Sequence, residues 1–242
     1  MDAIQQFEID RKERVSKFGT NDELKAAAHQ FNVISNRDQY SYNFSWMGRP
    51  IIQYPQDMIA MQKLIYQIKP DLIIETGIAH GGSLIYYASI MEMIGKGRVL
   101  GIDIDIREQY KRDIENHSMF KRIKMIQGSS LDKSLVDRVG QEIVQNEIVM
   151  VLLDSNHTYE HVSAELKLYS KFVTVGSYLV VFDTIIEDMP KGMYERPWDV
   201  GKNAKTAVYE FLKENDSFEI DHQMDNKLLM SVAPQGYLTR IK

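Results

Sequence analysis

At 242 residues the chain can bury a full core and suits one α/β domain with extensions. Its formal net charge of −5, with no basic block, argues against a nucleic-acid binder held by phosphate contacts. The absence of cysteine removes disulfides, zinc–thiolate centres and cysteine nucleophiles from consideration and fits a reducing compartment.

The charged opening MDAIQQFEIDRKERV lacks a signal peptide's apolar core, and no apolar run reaches spanning length. A cytoplasmic protein without a membrane span is expected. The first 35 or so residues read as two amphipathic helical pieces broken near Gly19-Thr20-Asn21, with Asn21 or Asp22 capping the second. They form a packing or oligomerisation arm. Next, NRDQYSYNFSWMGRPIIQYPQDM is rich in aromatics and broken by Gly48-Arg49-Pro50; these rings either cover a ligand or build a satellite core.

Pro55, at a first-turn position that proline tolerates, opens a helix to about Ile68. Lys69-Pro70 closes it before the apolar run Leu72-Ile73-Ile74, which ends in Glu75. Thr76-Gly77 and Gly81-Gly82-Ser83 follow, then LIYYASIMEMI with helical spacing: a strand, a tight glycine turn and a helix. Ser83 is placed to cap that helix. Such a turn suits a nucleotide or nucleoside with an anionic group nearby, or plain strand–helix packing. Its spacing is not GxGxxG, which disfavours a nicotinamide-dependent oxidoreductase.

Gly95-Lys96-Gly97 turns into RVLGIDID, a second strand ending at Asp103, where an acid accepts hydrogen bonds from ribose hydroxyls in open sheets. A helix from Arg107 to about Ser118 precedes a third strand, RIKMIQGSS, ending at Gly128-Ser129-Ser130. A helix from Leu131 to Val144 leads to a fourth, EIVMVLLD, ending in Asp154. SNHTYEHV opens a helix to about Phe172, and the fifth strand, SYLVVFD, ends in Asp183. IIEDMPKGMYERPWDVGKNA is a long, lid-like excursion before a helix over Lys205 to Lys213. The C-terminal FEIDHQMDNKLLMSVAPQGYLTRIK reads as two closing strands around a polar turn at Asp225-Asn226. Continuous apolar strands alternating with helices predict a mostly parallel, doubly wound sheet covered on both faces.

Ligands of such sheets bind outside the carboxyl ends of the strands. Asp154 and Asp183 end consecutive strands, and as neighbours their oxygens would share a hard cation that lowers the pKa of a substrate hydroxyl. His157 is the nearby base. In the plainer reading Asp154 caps the next helix and His157 is an ordinary loop histidine. Glu187 and Asp188 are further ligands or part of a solvated loop.

Together, WMGRPIIQYPQDM, KPDLIIETGIAHGGSLIYYAS, VLGIDIDIR, IQGSS, LLDSNHTYEHV, YLVVFDT, RPWDVGKNAKTAVYEFL and APQGYL resemble the cephalosporin hydroxylase family from about Trp46 to Tyr237. Its members look like class I S-adenosylmethionine (SAM)-dependent methyltransferases. The resemblance implies a Rossmann-like α/β fold: residues 1–50 as helical arm and covering loop, residues 51–242 as the SAM-binding domain. It also implies an O-methyltransferase using SAM and Mg2+ on a sugar, glycolipid or natural-product hydroxyl, working as a homo-oligomer. By the same resemblance Glu75, Gly77, Ala79, Gly81, Gly82 and Ser83 line the methionine part of the cofactor. Asp103 with Ile104 takes the ribose, and Ser129 and Ser130 lie near the adenine. Asp154 borders the cofactor and, with Asp183, matches the metal ligands; His157 matches the general base. One departure stands out: relatives often end the fifth strand in two acids, whereas here Phe182 precedes Asp183, which leaves water, Thr184 or a loop acid to complete the set. The alternatives are a non-catalytic SAM-binding protein and an oxidoreductase or hydroxylase on the same fold. No cysteine or two-histidine, one-carboxylate set is identifiable for an oxygenase.

Overall fold

The computed structural model describes residues 2–242; Met1, counted in the expected arm, lies outside them. The chain begins with α1 (Ala3–Gly19), closed by a reciprocal cap between Asp2 and Gln5, and α2 (Asp22–Arg37), whose Leu24 amide donates to the Asn21 side chain at 2.9 Å. The break between them falls at the expected glycine. A short hairpin of β1 (Phe44–Trp46) and β2 (Arg49–Ile51) leads into α3 (Pro55–Ile68), with Pro55 in its first turn.

The aromatic segment around that hairpin is mostly core. Tyr54 is fully buried, and Trp46 donates its indole N–H to Ser89 Oγ at 2.9 Å while meeting Tyr86 edge-on. Of its aromatics, Tyr42 reaches the pocket described below.

The main sheet has seven strands. β3 (Leu72–Thr76), β4 (Arg98–Asp103), β5 (Ile123–Gln127), β6 (Val149–Leu153) and β7 (Tyr178–Val181) run parallel in the order 5-4-3-6-7. β9 (Tyr237–Arg240) joins antiparallel to β7, with β8 (Phe218–Ile220) outside it. Helices α4 (Gly82–Ile94), α5 (Glu108–Glu115), α6 (Lys133–Gln141), α7 (Tyr159–Tyr169), α8 (Ala204–Glu214) and α9 (His222–Leu228) complete the structure. Successive strand residues enter opposite cores: Ile73, Val99, Met150 and Leu152 pack beneath α3 and α4, whereas Ile74, Leu100, Val151 and Leu153 pack beneath α7 and α8. That two-sided burial is why the strands read as unbroken apolar runs. No described helix is long and apolar enough to cross a membrane.

Three expectations are corrected. Asp225-Asn226 is not a turn but lies inside α9, which Asp221 caps through the Met224 amide at 3.0 Å. Met224 and Leu228, one helical turn apart, are both buried, and that packing selects helix over hairpin. Ser83 does not cap α4, because Gly81 occupies the cap in a left-handed conformation at φ 81°. Helices α5 and α6 are also shorter than their polar sequences suggested. Gly77 and Gly82 are needed for close backbone approach. A Cβ on Gly77 would overlap the Asp154 carbonyl, and one on Gly82 the Pro50 carbonyl, so these two glycines let β6 and the hairpin close on the turn.

Candidate active site

Strand β3 lies between β4 and β6, so the chain crosses the sheet in opposite directions on either side of it, which opens a crevice at its carboxyl end. The Asp154 amide donates to the Thr76 carbonyl at 2.9 Å, placing the glycine turn and the end of β6 side by side. Asp103 accepts from the Ile78 and Ala79 amides through Oδ2 at 2.8 and 3.3 Å, and from the Asp105 amide through Oδ1 at 3.0 Å. It thereby holds the turn in shape, with Ala79 at φ 44°. Arg49 holds the same turn from the hairpin: its Nε and Nη2 donate to the His80 carbonyl at 3.0 and 2.6 Å.

Glu75 is fully buried behind the turn. Ser83 Oγ donates to its Oε2 at 2.9 Å, while Oε1 has no partner. Burial pushes the carboxyl up to about 8, opposed by the Ser83 hydrogen bond and reinforced by the charge of Asp103. A raised folded-state value means that Glu75 contributes most to stability below its ordinary range near 4.5 and that this contribution is lost as pH rises through about 8. Glu75→Gln is therefore expected to gain stability relative to the parent between those limits, by on the order of a few kcal/mol. Denaturant unfolding of both proteins at the two ends of that range measures the difference, and a gap that does not widen with pH would contradict the assignment.

The ends of β6 and β7 bring together Asp154, His157 and Asp183. One potential ligand atom from each lies within 4.8 Å of the others. His157 Nε2 is 3.2 Å from Asp183 Oδ2, and its ring meets Trp198 edge-on at 4.9 Å between centroids. The Asp154 carboxyl is held well above the usual carboxylate range by burial, then by the charges of Asp183, Glu75 and Glu165. Asp183 stands in the left-handed region at φ 56°, a conformation uncommon outside glycine that recurs at functional sites. Asp154 does not cap α7. Thr158 holds that position, and its amide donates to the Asn156 side chain at 2.9 Å.

Phe182 is buried in the core with Val180 and Tyr237 and adds no ligand. The proposed replacements are committed elsewhere. Thr184 Oγ1 donates to the Pro234 carbonyl at 2.7 Å. Glu187 accepts from the Gly201 amide at 2.7 Å and the Asn203 side chain at 2.6 Å, and Asp188 pairs with Lys205 at 2.6 Å. These loop acids lie outside the Asp154–His157–Asp183 group and pin the long excursion to the body.

A pocket of about 270 Å³ lies over this rim. Gly77, Ala79, Gly82, Ser83, Asp154, His157 and Asp183 line it, as expected for one site. Glu75, Gly81, Asp103, Ile104, Ser129 and Ser130 stand outside its wall. Ile104 is 71% exposed, and Ser129 Oγ accepts from the Leu131 amide at 3.3 Å. Ser130 is buried, its Oγ 3.2 Å from His161 Nε2, and the same nitrogen lies 3.3 Å from buried Glu165. Asn36, Gln53, Tyr194 and Trp198 also line the pocket; they lie in the two segments expected to cover a ligand but were not singled out there. Tyr194 donates to the Asn36 side chain at 3.2 Å across 158 residues, joining the long loop to the end of α2. The only signal for that wall was the loop's length and aromatic content.

The parallel sheet with its antiparallel edge is the fold of class I SAM methyltransferases. CmcI without ligand matches it with a TM-score of 0.63 at 20% identity over 83% of this chain and 77% of that one. A CmcI complex with Mg and SAM gives 0.59 at 19% over 83% and 78%, and an O-methyltransferase from Bacillus cereus in complex with SAH gives 0.51 at 16% over 82% of each. The chain belongs to the rhamnosyl O-methyltransferase/CmcI family, whose model matches residues 38–241. A rhamnosyl O-methyltransferase of Mycobacterium bovis is 30% identical over 207 residues, covering 81% of this chain and 78% of its own length. That of Mycobacterium leprae is 28% identical over 200 residues, covering 81% and 82%.

Proposed function

We propose that this chain is a SAM-dependent, magnesium-assisted O-methyltransferase acting on a sugar hydroxyl. The observation that carries this reading is the Asp154–His157–Asp183 group, which faces the same pocket as the glycine turn. The residues suit both groups. The unpartnered buried oxygen of Glu75 fits an ammonium, and Asp103 keeps lone pairs beyond those used by three backbone amides for ribose hydroxyls. The two carboxylates of Asp154 and Asp183, within reach of one another, fit a divalent cation, and the charge of Asp154 among its neighbouring acids is what such an ion would neutralise.

When bound, SAM supplies an activated methyl group and magnesium acidifies a hydroxyl. The protein's own contribution is alignment and proton removal. Holding the acceptor oxygen in line with the methyl carbon is worth about 7–11 kcal/mol where the fit is close. His157, its Nε2 3.2 Å from Asp183 Oδ2, is the group placed to take the hydroxyl proton. Trp198, Tyr42 and Tyr194 give the pocket an aromatic wall suited to a saccharide, with Asn36 and Gln53 as polar partners. The relatives' name, rhamnosyl O-methyltransferase, supports the sugar class. We assign residues 1–50 to an arm and cover, with exposed Ile4, Phe7 and Ile34 supporting a homo-oligomer contact.

Calorimetric titration with SAM, with and without magnesium, tests the assignment. Binding in the micromolar range is expected, and Asp103→Ala should abolish it. Absence of binding by the parent protein would overturn the cofactor reading.

A further inference from the structure

We infer that the cleft between α1, α3 and α9 is a second binding site, one that takes a small phosphate-bearing anion. Arg11 and Lys12 of α1, Lys63 of α3 and Lys227 of α9 line this space of about 500 Å³. The whole chain is acidic, at −5, so four cations converging on one cleft run against its overall charge. No residue of this cleft belongs to the pocket above the sheet. The site is invisible along the sequence because three separate helices contribute to it.

The cations are under-compensated. Arg11 has an ion partner in Glu8, one turn earlier on α1. Among the described residues, Lys12, Lys63 and Lys227 have no carboxylate within ion-pair distance. Asp221 is the acid in the lining, and its oxygens already accept from the Met224 amide at 3.0 Å and the Tyr178 hydroxyl at 2.8 Å. Partial burial holds Lys63 below the usual lysine range, and the charge of Arg11 lowers it further. Lys227 is lowered in the same way by burial, then by Lys63 and Arg11; Glu8 and Asp221 oppose both shifts. The ammoniums therefore repel one another across the cleft. Buried Val15 and Met224 lie in the same lining and keep water from screening one side.

An anion relieves both the desolvation and the repulsion. A carboxylate brings one charge, whereas a phosphate ester brings about −1.5 to −2 and three acceptor oxygens, which matches several lysines converging as point charges. Ser16 and Gln223 supply uncharged donors to the same ligand.

Inorganic pyrophosphate is the probe, titrated calorimetrically into the full-length protein without magnesium and at low salt. Saturable binding is expected, weakened by added salt. In Lys63→Met/Lys227→Met the affinity should fall at least about tenfold, since two charge-assisted contacts are lost. The double variant should melt no lower than the parent, because it loses two partly buried, unpaired charges, and its SAM binding should be unchanged. Lys12→Met, an exposed change that leaves the packing alone, provides the second variant and should weaken pyrophosphate severalfold. Absence of pyrophosphate binding, or binding that none of these substitutions alters, overturns the proposal. Binding to phosphatidylserine-containing vesicles without any response to pyrophosphate also overturns it, in favour of a lipid surface.

Discussion

Asp154→Asn is expected to lower methyl transfer by about 10³-fold and to abolish its dependence on magnesium. Its carboxylate is half-buried at the end of β6, beside Asp183 and within the field of Glu75 and Glu165. These four acids raise one another's cost of ionisation, which a divalent cation held by Asp154 and Asp183 would offset. The amide keeps the shape and removes the charge. Two effects of opposite sign follow. The free variant should melt at a higher temperature than the parent, because a half-buried charge among like charges is gone. Magnesium, which should raise the melting temperature of the parent, should have little effect on the variant. Thermal melts with and without the metal, alongside initial rates, measure both. A variant that is less stable and still responds to magnesium would show that Asp154 is structural and the ion binds elsewhere.

His157→Ala should leave SAM affinity within error of the parent while turnover falls by about 10²–10⁴-fold, the usual contribution of a positioned base. The histidine lies 3.2 Å from Asp183 and edge-on to Trp198, so it is oriented from two sides, and nothing in its contacts supports the cofactor turn. The loss should therefore appear in kcat rather than in the KM for SAM. Parent-like turnover in His157→Ala with a true acceptor would remove the base assignment without touching the cofactor site. Glu75→Gln and Asp154→Asn test neighbouring carboxyls in different settings: Glu75 accepts a hydrogen bond from Ser83, whereas Asp154 is proposed to hold the ion.

The loop after β7 was legible as a lid, but which of its residues face the pocket was not. Glu187 and Asp188, legible in the sequence only as further ligands or part of a solvated loop, bind Asn203 and Lys205 at the start of α8 and so fasten the excursion that carries Tyr194 and Trp198 over the rim. Opposite it, Asn36 arrives from the end of α2.

Local chemistry was enough to determine the β3–turn–α4 unit, the five parallel strands in their chain positions and the acids that end them. An apolar run, a glycine turn and a helical period are set by residues close together in the chain, so they are legible there. The tertiary structure alone decided that β6 and β7 are neighbours, which brings Asp154 to Asp183, and that Phe182 turns into the core instead of joining them. It likewise made Asp225-Asn226 helical and gathered Lys63 and Lys227 into one cleft. These outcomes depend on contacts between segments far apart in the chain, whose burial and charge exist only after the helices and strands have packed.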